Sequence, residues 1–298
     1  MSSSNFQQSI GRWAGNAEAF DSYGHFLGNG SDYRHVQALE QGRVRIDVSF
    51  VGPFKHSGHY FIQTEDDHRL YEGPANIGYA EAFGETLVDA NAYWPALGMS
   101  QRFFLMIVDG NLQLSLAHMS RGEHLMYVIV GQNDRVPDET PVPQPQVVSG
   151  THYDLSEDPA AGRASLLLHR PGMWQGELTA FNERRESLGQ FTYLETRQGA
   201  HLHLQGGAFD PAPRHITLHT NQWQAWTSAD SDVVGSYSLS GGRALSGQFY
   251  HRAVRLRCWQ REVVTLDGTR KTIVQHWYRG GERIGSQFGV LTFQPVVP

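Results

Sequence analysis

The chain has 298 residues, a formal net charge of -6 and 18% charged residues, with fifteen histidines and one cysteine. That lone Cys258 excludes an internal disulfide framework and cysteine-rich metal sites, and it fits a reducing compartment. The mildly acidic balance gives no electrostatic case for nucleic acid. The start, MSSSNFQQSIGRW, has no basic segment followed by an apolar one, and no stretch nears ~18 apolar residues. The expectation is a soluble cytoplasmic protein with no membrane or nucleic-acid partner.

In chain order, residues 5–10 form a short lead into Trp13. Arg43–Phe50 (RVRIDVSF) alternates polar with apolar at the period of a half-buried strand. Residues 52–98 are rich in Gly and aromatics, and a helix is expected over Ala80–Val88. Phe103–Val108, Asp109–Gly110 and Gln113–Met119 read as a hairpin, the Gly tolerating a positive φ in the turn. Residues 133–149 (NDRVPDETPVPQPQVVS) have the composition of a semi-rigid connector. Residues 159–169 are expected to form a short helix leading into Trp174. His201–Gln205 and His215–Thr220 alternate around a Gly/Pro-rich loop. Val263–Leu266, Asp267–Gly268 and Thr272–Tyr278 read as a second hairpin.

The chain repeats itself once. Residues 11–28 (GRWAGNAEAFDSYGHFLG) match residues 172–189 (GMWQGELTAFNERRESLG) at Trp13/Trp174, Gly15/Gly176, Phe20/Phe181 and Gly28/Gly189. Further anchors keep their order: Gln41–Gly42 with Gln198–Gly199, Tyr93 with Tyr250, Asp109 with Asp267, and His118, Arg121 and Gly122 with His276, Arg279 and Gly280. A collinear series of this length means two copies of one unit. Short strands with frequent Gly punctuation favour a barrel. The expected organisation is all-β: a first antiparallel barrel over 1–132, a Pro-rich linker over 133–158 and a second barrel over 159–298.

The opening W-x-G-x-x-x-x-F of each half, Trp13–Phe20 and Trp174–Phe181, resembles the tandem lipocalin-like (calycin) two-barrel proteins of an uncharacterised bacterial family. A looser likeness, of architecture alone, is to carotenoid 1,2-hydratases and lipocalin-type Diels–Alderases. The resemblance implies that each Trp plugs one end of a barrel, with an Arg from a late strand over its ring. Arg121 and Arg279 are the matched candidates. It also implies a small hydrophobic ligand, but it carries over no catalytic residue.

Two clusters are the chemical candidates. His201 and His203 alternate on one strand and His215 and His219 on the next. Together they read as a four-imidazole patch suited to Zn, Fe, Ni or Cu, as a cavity lining, or as a decorated outer face. The repeat frame set by Gln-Gly places His201 and His203 opposite the core-like Val44 and Ile46. A one-residue slip places Leu202 and Leu204 there instead. The second cluster is Tyr93–Trp94 with Tyr250–His251, an aromatic and a titratable group at equivalent positions, able to stack on a ligand or move a proton.

His251, Tyr250, His203 and His219 are the catalytic candidates. Tyr93, Trp94, Trp223, Trp226, His201 and His215 are the ligand-binding ones, and no metal is assigned. His118 and His276 read as structural. Arg255, Arg257 and Arg261 read as one solvated strand face, and Cys258 as a buried small hydrophobe. Glu65, Asp66 and Asp67 read as an acidic turn.

Nucleotide, nicotinamide and serine-hydrolase motifs are absent, so no cofactor is expected. The favoured reading is an enzyme performing a non-redox isomerisation, cyclisation, or hydration or elimination on a small hydrophobic or aromatic metabolite. The alternatives are a carrier using the same cavity, and a structural protein with filled barrels.

Overall fold

The computed structural model describes residues 4–53, 55–65, 68–139, 170–221 and 224–295. After a 3-10 helix at Ser4–Ser9, the first half contains β1 (Gly11–Asp21), β2 (Phe26–Ala38), β3 (Val44–Val51), β4 (Lys55–Glu65) and β5 (His68–Glu72). It continues with β6 (Ile77–Phe83), β7 (Leu87–Trp94), β8 (Met99–Asp109), β9 (Leu112–Arg121) and β10 (His124–Val136). The second half contains β11 (Gly172–Asn182), β12 (Ser187–Gln198), β13 (His201–Gly206), β14 (Arg214–Thr220) and β15 (Gln224–Thr227). It ends with β16 (Val233–Ser240), β17 (Ala244–His251), β18 (Leu256–Val264), β19 (Arg270–Arg279) and β20 (Glu282–Pro295).

Each half is a closed antiparallel barrel in simple up-and-down order, with β1 against β10 and β11 against β20 closing the rings. Closure leaves no sheet edge, so every strand finds both hydrogen-bonding neighbours. The two tandem barrels expected from the repeat are present. Strand β10 runs to Val136, past the expected bound at 132. Most of the expected connector and the short helix expected over 159–169 lie outside the described residues. No helix among the described residues is long and apolar enough to cross a membrane.

The repeat is visible in fine geometry. Both first strands carry a bulge at the matched steps Ala19/Phe20 and Ala180/Phe181. Both then turn on a matched Asx residue: Asp21 Oδ1 accepts from the Tyr23 and His25 amides, Asn182 Oδ1 from those of Arg184 and Glu186. A Cβ on Gly15 would sit 2.0 Å from the Gln132 carbonyl, and one on Gly176 2.3 Å from that of Val290. The W-x-G spacing is therefore demanded by close backbone approach beside the plug. In the two Asp-Gly hairpins, Gly268 takes the left-handed conformation at φ 69°, whereas Gly110 does not. That hairpin carries a register shift between Ile107 and Asp109, just before the turn.

Four expectations are corrected. The helix over Ala80–Val88 is the β6–β7 hairpin, where Ala80 and Ala90 pair and are both buried. Arg121 and Arg279 are exposed at strand ends, far along the chain from the plugs. Arg135 instead lies 4.4 Å above the Trp13 ring, and Lys271 Nζ lies 5.1 Å above that of Trp174. Arg261 is fully buried, its guanidinium 4.2 Å over Trp259 and 3.1 Å from His276 Nε2, so the arginine row is not one solvated face. The Gln-Gly frame is also off by a residue. Pairing with β2 and β12 sets Leu202 and Leu204 at the places of Ile46 and Val48, because the loop before β3, which holds a 3-10 turn at Glu40–Gly42, differs in length.

Trp13 and Trp174 are both buried, at 0% and 1% exposure. Trp13 Nε1 donates to the Ser9 carbonyl, and Arg135 clamps the lead by donating to the Ile10, Gln8 and Gly110 carbonyls. In the second barrel Phe293 takes the register position of Arg135 and packs at 4.9 Å on Trp174. Arg170 then covers Phe293 at 3.8 Å.

Candidate functional site

Strand alternation fixes what faces inward, and the two barrels use their interiors differently. The first contains a cavity of about 150 Å³. It runs from the Trp13 end, where Ser9, Val36, Ile62 and Gln113 line it, to the opposite end, where Phe50, His56, Asn76, Trp94 and Tyr127 line it. Its walls are Ile46 and Val48 of β3, Met99, Phe103 and Leu105 of β8, and Ala117 and Met119 of β9. Small inward residues such as Ser115 and Ala117 leave this space. It equals the size of an apolar cavity known to hold a benzene-sized guest.

Polar groups on this wall fall into two kinds. Those of the first kind are satisfied by the protein. Arg34 donates to Asp32 at 2.5 Å, and the Trp94 indole donates to Gln101 Oε1 at 2.7 Å. Burial works against the Arg34 charge, but Asp32 outweighs it and holds the guanidinium firmly protonated. Burial pushes the Tyr60 phenol up to about 12, and burial with Tyr60 nearby pushes Tyr71 higher still. Both phenols stay neutral near pH 7.

The second kind has no protein partner: His56 Nε2, Asn76 Oδ1 and Gln113 Oε1 are buried and unbonded. Asn76 and Gln113 are 2% and 3% exposed. Burial lowers the His56 pKa below its ordinary value, so its imidazole is neutral near pH 7. The ring stands edge-on to Trp94 at 5.0 Å.

The second interior is occupied by a polar ladder. Lys271 Nζ donates at 2.7 Å to both Glu195 and Glu262. Gln260 donates to Glu262, Gln275 to Gln260 and Gln287 to Gln275, and Gln287 accepts from the Ala208 amide. Burial pushes the Glu262 carboxyl up against the pull of Lys271, with Glu195 adding to the rise. Burial also lowers the tendency of Lys271 to hold its proton, but the two carboxylates more than restore it.

The expected site residues divide as follows. Trp94 lines the first cavity. Its register partner on β17 is His251, as the paired repeat implied. His251 is buried at the matched end of the second barrel, with Nδ1 2.6 Å from Asp210 and its ring 4.9 Å from Trp277. Burial tends to raise the Asp210 pKa, but hydrogen bonds from His251 and Arg214 hold it below the usual carboxylate value. Tyr93 and Tyr250, one residue earlier, point outward and are 45% and 44% exposed.

The histidine patch is also on the outside. Leu202, Leu204, Ile216 and Leu218 are buried, while His201, His215 and His219 are exposed and His203 half-buried. His203 and His215 stack at 4.4 Å, His201 meets Thr217, and His219 meets Ser228 and lies beside the exposed Trp226. Alternation thus removes all four histidines and Trp226 from the interior. Among the described residues no three His, Cys, Asp or Glu side chains are placed to hold a metal ion. Trp223, Asp66 and Asp67 lie outside the described residues. Cys258 is buried, and burial pushes its thiol pKa well up, as suits an inert packing residue.

Sequence reasoning missed His56, Asn76 and Gln113. None sits in a motif, and two fall in the section over residues 52–98. The signal that could have found the hollow barrel was the repeat itself: at the offset of His118/His276, Ala117 faces Gln275.

No protein-family model and no curated protein matches the chain. Among solved structures, it is similar over 99% of both chains to a protein of unknown function from the DUF3598 family of Nostoc punctiforme, with a TM-score of 0.60 and 13% identity. It also aligns over 45% of its length with 92% of an S-type phycobiliprotein lyase from Guillardia theta, at a TM-score of 0.35 and 8% identity. Over 99% of its length it aligns with 93% of kievitone hydratase from Nectria haematococca, at a TM-score of 0.19 and 7% identity. The full-length match to the Nostoc protein shows a shared fold, which in this chain is two closed antiparallel ten-stranded barrels in tandem.

Proposed function

We propose that the first barrel binds a small hydrophobic or aromatic molecule. One observation carries this reading: an apolar, aromatic-walled cavity of about 150 Å³ with a few polar side chains, His56, Asn76 and Gln113 among them, on its wall. Apolar walls supply affinity through burial, and a few convergent polar groups fix orientation. A filled core would not show this space. The test is a ligand-observed NMR fragment screen on the full chain, repeated on Ala117→Leu. Hits should vanish in the variant, which fills the cavity. Hits that bind the variant equally well would defeat the proposal.

A second reading adds chemistry to binding, and His56 favours it. A neutral imidazole on the cavity wall is suited to accept a proton. The reaction class is then a non-redox isomerisation, cyclisation, or hydration or elimination needing no cofactor. Under this reading His56→Gln abolishes turnover while binding persists. If the protein is a carrier, the bound molecule is recovered unchanged after incubation with wild type.

A further inference from the structure

We infer that the first barrel selects an uncharged, single-ring aromatic molecule over a saturated ring of the same size, and that the guest's ring lies at the Trp94 end of the cavity. This deepens the binding proposal and rests on it. Placement is the first argument. Two apolar clusters bracket the space. The one at the plug end joins Trp13 to Val36, Ile46 and Ile62, with Tyr60 and Tyr71 beside them. The other packs Met99 and Met119 against Trp94, Leu97, Phe103 and Tyr127. Strand register adds Phe50, opposite His56, at that second end. Val36, Ile46 and Ile62 are buried, whereas Phe50, His56, Trp94 and Tyr127 are half-buried, so a guest reaches the cavity from the Trp94 end.

Wall chemistry is the second argument. The bond to Gln101 fixes the Trp94 indole, and the rings of His56 and Tyr60 stand edge-on to it at 5.0 and 6.3 Å. An aromatic guest among such rings gains edge-to-face or offset contacts, because ring face and ring edge carry opposite partial charge. The polarizable thioethers of Met99 and Met119 favour an aromatic partner in the same way. A saturated ring gains burial from these walls and neither of the other contacts. Charge is the third argument. On the described wall Asp32 and Arg34 are closed on each other at 2.5 Å, so an ion would lose its hydration and meet no free countercharge. Arg34 also lies 5.6 Å over the Phe103 ring, which opposes a second cation among these aromatics. Size is the last. A space of about 150 Å³ admits one six-membered ring with small substituents.

The test titrates benzyl alcohol, cyclohexylmethanol and benzylamine calorimetrically into the full chain at neutral pH. The first two share their size and hydroxyl and differ in ring saturation. Burial alone favours cyclohexylmethanol, which has the larger apolar surface. Ring contacts reverse that order, and benzyl alcohol should bind about tenfold tighter. Trp94→Leu should lose most of this preference while still binding cyclohexylmethanol, which shows that the variant is folded. A second readout needs no variant. With carbon-13-labelled methionine methyls, benzyl alcohol should shift the Met99 and Met119 resonances by its ring current, and cyclohexylmethanol should shift them much less. Equal or tighter binding of cyclohexylmethanol to wild type would overturn the inference and leave the binding proposal standing. Unshifted Met99 and Met119 with benzyl alcohol bound, or an unchanged preference in Trp94→Leu, would overturn the placement of the ring. Tighter binding of benzylamine than of benzyl alcohol would overturn the inference through the charge argument. No binding of any of the three at millimolar concentration would overturn both.

Discussion

At the level of Phe103, Leu105, Ala117 and Ile129 the first barrel encloses open space, while the matched positions of the second hold Gln260, Glu262, Gln275 and Gln287 in hydrogen-bonded sequence. The match follows from strand pairing. Ala117 pairs with Ile129 and Phe103, as Gln275 pairs with Gln287 and Gln260. One backbone scaffold with one plug thus supports two interiors. A ladder of amides and paired charges leaves each member dependent on the next, so none can be spared for a ligand. Apolar walls with small residues among them leave space in which a guest can bind by burial.

The sharpest way to break this comparison is at the matched pair Lys271 and Gln113. Lys271→Met strands Glu195 and Glu262 in the interior and should cost about 3–5 kcal/mol in denaturant unfolding of the second barrel. Gln113→Met should change the first barrel by only about 1 kcal/mol, since its Oε1 has no partner to lose. Equal costs at both sites would mean that the interiors are alike after all.

Next in size is Phe249, which packs at 4.2 Å on Tyr237 and stands where the first barrel has Ala92. Phe249→Ala should cost about 3–4 kcal/mol by opening a hole that a filled core lacks. Ala117→Leu should leave stability within about 1 kcal/mol, because the space is already there, while ligand affinity falls at least about tenfold. Calorimetric titration with a screening hit, beside a melting curve, reads both effects.

A smaller effect is the response of the first barrel to acid. Burial depresses the folded-state pKa of His56, so the unfolded chain takes up the proton first. Its contribution is fully present above the unfolded value of ~6.5 and is lost as pH falls through the lower folded value. Hydrogen exchange at pH 8 and pH 5 should show the first barrel losing more protection in wild type than in His56→Asn. In the second barrel the lowered Asp210 pKa works at lower pH, its contribution present above ~3.9 and lost below. The smallest effect is on the outer face. His203→Ala and His215→Ala should each shift stability by no more than about 0.5 kcal/mol and leave ligand affinity unchanged.

Much of the fold was legible because its signals are local or periodic. Trp13/Trp174 with Gly15/Gly176 marked the plug, and the collinear anchors marked the duplication. The β6–β7 hairpin was misread as helix because alanines and glutamates carry helix propensity, and only pairing across the barrel overrides it. The cation over Trp13 was assigned to Arg121, but a ring is covered by whatever the closing strand brings to it, here Arg135. The site was the least legible part. Histidines alternating with leucines left two faces equally readable, and a one-residue slip in an unequal loop decided between them.

The sequence by itself determined two barrels, their plugs and the equivalence of Trp94 with His251, because duplication and alternation are written along the chain. Only the tertiary structure revealed the cavity in the first barrel. Cavity volume is a sum over side chains from eight strands, and whether a buried amide is satisfied depends on neighbours brought together by ring closure. His56, Asn76 and Gln113 are unremarkable on their own strands and become a site only when the barrel closes around them.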